Sequence, residues 1–478
     1  MSTVALAVMG AYLVLTLAIG YLGYSRTGGT PAEYFLAGGT LGRVVFPLTM
    51  FATLMSAFIF LGSAGFGYTH GFAWLAMIGV EAVAGIPLAL IGLRAWRRAR
   101  EAGYITPTEF LGDAYDSSAV KLAVLAVQFG WAIPYLAIQA MGGGLLFETI
   151  SNGAVPFWAG GLIVTVVTAV YLALGGLRSV AWSDVLQGAA VVALLAAAAA
   201  YLLPAMDPAS LTDALRESGH LAPAGAVGFF TPRIWVSFLL MNTMAVIAYP
   251  QMFQRFFAAK SERSFRALLV WWPVMALVAA VVPVALGTWG SQVLPGLGTP
   301  DQVLPALLQQ FAPGWLVGVI VGGALAAMMS TADSLALTLS SLVTRDLYRD
   351  HVAPDASDRR ETWVGRVAIL VLLASGYLLA LPRLGTIIEL AVYFIQGNAL
   401  VLPVFVAALY WPRATAPAAL GSVLVGQAYF LAGTFGPAPA FGFMPFVPAL
   451  ALACAVLVGG SLLTTEEPKP ASTVTGEP

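Results

Sequence analysis

The chain has 478 residues, 59% of them hydrophobic and only 9% Asp, Glu, Lys or Arg, with a mean hydropathy of +0.87. Soluble domains carry roughly 25% charged residues, so the composition excludes an ordinary soluble enzyme and specifies an integral membrane protein. A net charge of −1 gives no basic bias toward nucleic acid, and the single Cys454 excludes an internal disulfide or a cysteine metal cluster.

A helix needs about 20 mostly apolar residues to cross the hydrocarbon layer, where its backbone groups must be satisfied internally. Thirteen such runs are expected, near 3–23, 44–68, 72–93, 119–147, 157–174, 185–203, 234–256, 268–293, 315–343, 367–381, 386–410, 417–431 and 446–462, numbered spans 1 to 13 in chain order. Span 1 has no positively charged leader and is too long for a signal peptide, so it reads as a mature span. Span 2 carries Ser56 at its middle and then Gly62, Ser63, Gly65 and Gly67, a concentration that weakens a helix and permits close contact. Asp184, in GGLRSVAWSDVLQG, lies at the start of span 6, where complementing a positive helix end is an alternative to ligand binding. The inner loops 94–117 and 344–366 are too short for catalytic domains. There is no HExxH, no GxSxG and no GxxxxGK[ST]. His70, His220 and His351 fall in loops or at span ends and read as surface histidines, so no enzyme is expected. The polar, Pro-rich segment 466–478 reads as a disordered tail.

Three of the 22 lysines and arginines, Arg216, Arg233 and Arg383, fall on one side of this arrangement, and the other nineteen on the opposite side. Cytoplasmic loops retain such residues. The expectation is therefore a multi-pass protein of the cell membrane with its N-terminus outside and its C-terminus cytoplasmic. No residue pattern specifies an oligomeric state.

Span 9 contains AAMMSTADSLALTLSS, in which Ala327, Ser330, Thr331 and Ser334 share one helical face with Asp333 beside them. Hydroxyls alone leave packing open, since Ser and Thr bond back to carbonyls and small residues let helices approach. An ionisable group inside a span is costly and points to function. A hard monovalent cation such as Na⁺ prefers oxygen ligands, and helix carbonyls are free for it only where a partner helix is broken; span 2 is the candidate partner.

GYITPTEFLGDAY (103–115), GGLRSVAWSDVLQG (175–188), PQMFQRFFAAKSERSFR (250–266) and AAMMSTADSLALTLSSLVTRDLYR (326–349) together resemble the successive signatures of the sodium/solute symporter family, whose members carry sugars, proline, pantothenate, monocarboxylates, sialic acids or iodide. The likeness covers almost the whole chain. It implies an all-α membrane fold of the amino-acid/sodium symporter type: two inverted five-helix repeats, about 44–203 and 234–410, within one transmembrane domain over 1–465. It further implies a sodium site made of the carbonyls of Ala52, Met55 and Ala327 and the hydroxyls of Ser330 and Thr331. Some members resemble one another in a further sodium site, matched here by Asp184, Ser330, Asp333 and Ser334. Because two close carboxylates cannot both ionise comfortably without a cation, Asp184 and Asp333 are expected to share a second cation or to hold a proton. The proline carrier has an aspartate where this chain has Leu54.

Solute is expected near the breaks of spans 2 and 7, lined by Ser56, Phe58, Glu81, Asn242 and Tyr249, with Pro250 freeing backbone groups. A structural hydrogen bond for Glu81 and ordinary packing for Phe58 and Tyr249 are the competing readings. No basic residue is expected at mid-span. The function implied is sodium-coupled symport of a small organic solute by alternating access. The alternatives are a proton-coupled carrier titrating Asp184, Asp333 or Glu81, and a sensor or channel on the same scaffold.

Overall fold

The computed structural model describes residues 2–24 and 30–464; Arg26 and the tail expected from 466 lie outside the described residues. Among the described residues, nine helices are long and apolar enough to cross a bilayer, or eleven when two bent pairs are each taken as one span. The expected thirteen needs two further readings. Span 1 is the helix Ser2–Tyr24, whose apolar stretch, Thr3–Ala18, is short. Expected spans 5 and 6 lie in one run, Phe157–Met206, of 50 residues, which as a straight rod would measure about 75 Å, more than twice the hydrocarbon thickness. It breaks at Gly176, which has φ 57° and ψ −157°. Only glycine adopts this backbone readily, and a Cβ there would lie 2.6 Å from the carbonyl oxygen of Tyr34.

Several other expected spans are interrupted. Span 2 is Val45–Leu54 followed by Phe58–His70 at 59°, and span 7 is Pro232–Ala248 followed by Pro250–Phe257 at 46°. Span 3 divides around a tight turn at Val80–Ala82, and span 11 divides into Ile387–Ala399 and Leu402–Tyr410. Spans 4 (Ser118–Ile150), 8 (Glu262–Val293), 9 (Gly314–Leu342), 10 (Asp358–Ala380), 12 (Ala416–Phe435) and 13 (Phe446–Leu463) run on without such a break. Span 9 is the central post: 89% of its most apolar stretch is buried, against 33% for spans 12 and 13, which pack mainly on each other at the periphery. Lipid is as apolar as leucine, so such packing relies on close fit more than on expulsion of water.

The motif GYITPTEFLGDAY bolts the connection between spans 3 and 4 to the end of span 9. Its short helix, Pro107–Tyr115, starts with a capping box in which the Thr106 hydroxyl accepts the Glu109 amide at 3.0 Å and Glu109 accepts the Thr106 amide at 3.1 Å. Thr106 and Thr108 then donate to the fully buried Asp346 at 3.2 and 2.5 Å, and Lys121 pairs with the same carboxylate at 2.7 Å. Arg345 holds Glu109 at 2.8 Å. Gln254, from the second half of span 7, donates to the Ile105 carbonyl at 2.9 Å and accepts from Thr338 of span 9 at 2.6 Å. Three of the recognisable motifs are thus one fastening.

The turn Pro300–Gln302 lies outside these helices and buries Asp301, which accepts the Ile387 amide at 3.0 Å. Burial pushes its carboxyl up to about 6; the Ile387 hydrogen bond opposes the rise and the Glu389 charge adds to it. With a folded value above the unfolded one of about 3.9, the stabilising contribution is complete below roughly pH 4 and is lost as pH rises through about 6. Asp301→Asn keeps an acceptor and removes the charge. Its melting temperature at pH 7.5 is expected to equal or exceed the wild type's, with a shallower fall between pH 4 and 6; an unchanged pH slope would show that Asp301 has no such role.

Candidate cation and solute sites

The first half of span 2 ends because Met55 turns extended, with φ −69° and ψ 108° and its amide folded back on the carbonyls of Ala52 and Phe51. A helix end leaves backbone groups orphaned. On the far side of the break, the Ala57 amide donates to the Gln139 side chain at 3.0 Å. On the near side, the carbonyls of Thr53 and Met55 face span 9, where the Thr331 hydroxyl lies 3.0 and 2.6 Å from them. The glycines of span 2 are not at this break. They sit at close contacts in the second half of the span: a Cβ on Gly62 would lie 3.4 Å from Ile387 of span 11, one on Gly65 2.8 Å from the Asp301 amide nitrogen, and one on Gly67 2.7 Å from the Val284 carbonyl of span 8.

Of the five expected sodium ligands, Met55 and Thr331 are brought into direct contact, together with Thr53, which the sequence reading did not name. Ala52 is buried, with its carbonyl accepting the Met55 amide. Ala327 is buried one turn before Thr331 in the unbroken span 9. The Ser330 hydroxyl turns to Asp184. Carbonyl and hydroxyl oxygens at a helix break are hard donors, and they fit a hard monovalent cation better than a transition metal.

Beside this break lies a fully buried polar cluster. Asp184 accepts hydrogen bonds from the hydroxyls of Ser330 and Thr49, and Arg255 Nη2 pairs with it at 3.2 Å. The same guanidinium donates to Ser334 Oγ at 2.5 Å and, through Nε, to Thr49 Oγ1 at 3.1 Å. Thr53 Oγ1 is 3.2 Å from Ser334 Oγ. Asp333 accepts from the Tyr171 hydroxyl and lies 3.0 Å from Ser334 Oγ. The expectation that no basic residue enters this region is corrected here. Arg255 is 2% exposed, inside the helix Pro250–Phe257, because the bend after Tyr249 turns that segment inward. One guanidinium thus serves a cluster that holds two carboxylates. Thr49, Thr53, Tyr171 and Arg255 were all missed by the sequence reading. The signal within reach was Thr49 and Thr53, one turn apart on the half of span 2 that precedes the break.

The expected solute-lining residues separate into two groups. Ser56 Oγ accepts the Tyr135 hydroxyl at 3.1 Å, and Phe394 lies 4.0 Å from the Tyr135 ring and 4.7 Å from Tyr249. Glu81 is buried at the turn in span 3, its backbone carbonyl accepting Trp272 at 2.8 Å and its carboxyl within electrostatic reach of the Tyr135 and Tyr249 phenols. Ser56, Tyr135, Tyr249, Phe394 and Glu81 thus surround the breaks of spans 2 and 7. Phe58 instead packs edge-on against Trp74 at 6.3 Å, and Asn242 is buried in the first half of span 7. His70 is not a surface histidine; it is buried at the end of span 2 between Phe66 and Phe229, at 4.0 and 5.0 Å.

Comparison with known proteins accords with this geometry. The model of the sodium:solute symporter family matches residues 34–426. The chain is 30% identical over 477 residues to the sodium/pantothenate symporter of Escherichia coli (strain K12), covering 96% of each chain. It is 26% identical over 485 residues to the sodium/proline symporter of Haemophilus influenzae, covering 95% of this chain and 94% of the relative. In fold it is similar to a Na⁺-coupled sialic acid symporter solved in a substrate-bound outward-open state, with a TM-score of 0.82 at 18% identity over 97% of this chain and 98% of the other. The chain belongs to the sodium:solute symporter family.

Proposed function

We propose that this sodium-coupled symporter of small organic solutes holds its ion between the break of span 2 and span 9, with Met55, Thr53 and Thr331 as the contacting groups and Ala52, Ala327 and Ser330 completing the shell. The observation that carries this reading is the Thr331 hydroxyl facing two carbonyls freed by the break. Sodium there favours the arrangement in which Ser56, within the break, and its hydrogen-bond partner Tyr135 of span 4 are organised for solute, and reciprocity requires solute to tighten sodium binding. A membrane potential contributes about 2.3 kcal/mol per charge per 100 mV, roughly a fifty-fold accumulation for one ion. The solute site we assign is Ser56, Tyr135, Tyr249, Phe394 and Glu81, with Asn242 and Phe58 behind it. Thirteen crossings, inverted repeats over about 44–203 and 234–410, an outer N-terminus and a cytoplasmic C-terminus complete the reading, supported by the asymmetry of Lys and Arg.

A relative named for pantothenate is 30% identical, against 26–28% for those named for proline, so pantothenate is the first solute to test and proline the second. Purified protein in vesicles is expected to accumulate one of them under an inward sodium gradient and to stop when the gradient is collapsed; solute entry that ignores the gradient would contradict symport. We further assign a second cation to Asp184, Ser330, Asp333 and Ser334, because Arg255 neutralises only one of the two carboxylates. Asp333→Asn is expected to lower the Hill coefficient for sodium from above one to about one. An unchanged coefficient would remove the second ion.

A further inference from the structure

The basic end of span 10 carries a groove that shares no lining residue with the cation and solute sites described above. Ser357, Arg359, Arg360, Trp363 and Arg366 line a cavity of about 390 Å³ where the helix Asp358–Ala380 begins. Arg359 and Arg360 are exposed. Arg360 stands over the Tyr348 ring at 5.6 Å, and Arg366 over that of Tyr34 at 5.8 Å. Of the acids nearby, Glu361 is fully buried and already held by Arg345 and Arg349, at 3.3 and 2.9 Å, on the side facing the end of span 9. The exposed Asp358, between Ser357 and Arg359 in the chain, does not line the cavity. Three arginines and no acid therefore line the groove, a basic recess at the end of a spanning helix.

The next two turns of the helix decide between a dissolved anion and a lipid. Trp363, Val367, Leu370 and Val371 succeed the arginines at helical spacing on one face and are 63%, 37%, 48% and 58% exposed. Trp is enriched at the level of lipid headgroups. From Trp363 to Val371 the stripe runs about 12 Å, close to the roughly 15 Å of one leaflet's hydrocarbon. A guanidinium fork matches phosphate oxygens, and an apolar stripe leading away from it matches an acyl chain.

We propose that this groove binds the phosphate headgroup of an anionic phospholipid, with Arg359 and Arg360 on the phosphate, Trp363 at the glycerol level and Val367 to Val371 along the chain. The test is native mass spectrometry of full-length protein equilibrated with mixed phosphatidylglycerol and phosphatidylcholine in detergent. Each basic residue near an anionic surface contributes a factor of about five, so Arg359→Gln with Arg360→Gln is expected to cut the preference for phosphatidylglycerol by about tenfold or more. Arg100→Gln with Arg413→Gln, an equal charge change elsewhere, is expected to leave it intact. Should the double variant lose cooperative melting, Arg359→Gln alone is read instead, with a fall of about fivefold. Equal preference in the groove variant, or an equal loss in the control, overturns the site. Displacement of the lipid by millimolar inorganic phosphate overturns the assignment to lipid. None of these results depends on which ion or solute is carried.

Discussion

Asp184→Asn and Arg255→Gln are each expected to abolish sodium-driven uptake and to lower thermal stability sharply, whereas the double variant is more stable than either single change. The reason is burial. Asp184 is 0% and Arg255 2% exposed, and they pair at 3.2 Å with hydroxyls of Thr49, Ser330 and Ser334 completing their hydrogen bonds. Removing one partner of such a pair leaves a charge in a low-dielectric interior, at a cost of about 3–5 kcal/mol. Removing both leaves neutral amides at these two positions that still reach the same hydroxyls, beside Asp333, which keeps its contacts to Tyr171 and Ser334. The cycle is read by the sodium-free melting temperatures of the four proteins, with uptake measured in parallel. Additive losses would show that the two groups do not act on one another, and the electrostatic description of the cluster would fail.

Thr331→Ala is expected to raise the sodium concentration for half-maximal uptake by about ten- to a hundred-fold while leaving a folded protein. The hydroxyl is the donor for the Thr53 and Met55 carbonyls, at 3.0 and 2.6 Å, and a buried polar group without its partner costs about 1–3 kcal/mol. In the proposed ion site the same oxygen belongs to the sodium shell, so the loss falls on sodium first and on solute only through linkage. Thr331→Ser retains an oxygen at that position and is expected to stay within a few-fold of wild type. A Thr331→Ala protein that loses solute affinity with no change in sodium dependence would contradict the assignment.

Much of this site is legible in the residues alone. The helical stripe of span 9 is visible because a period of 3.6 places Ala327, Ser330, Thr331 and Ser334 together in any helix, and the structure keeps that segment helical and buried. The motifs around Thr106 and Asp346 can be quoted from the sequence, although their mutual hydrogen bonds across some 240 residues cannot be derived from it. Arg255 is invisible for a different reason. Hydropathy puts an arginine at the very end of an apolar run, here span 7, at the membrane surface, and only the 46° bend at Tyr249 reveals that the next turn-and-a-half runs inside. Tyr171 is hidden likewise, because a tyrosine in an apolar run reads as packing until its partner, Asp333, is placed against it. The glycines of span 2 point to a break among themselves. The chain instead breaks at Met55–Ala57, where partners for the freed groups come from Thr331 and Gln139.

Equilibrium binding of radioactive sodium to purified protein, without solute, weighs the main proposal most directly. Wild type is expected to bind sodium saturably, and the Ser330→Ala, Thr331→Ala double variant, shown to be folded by its melting curve, to bind with at least a tenfold weaker affinity. Undiminished affinity in that folded variant would place the ion elsewhere and contradict the account.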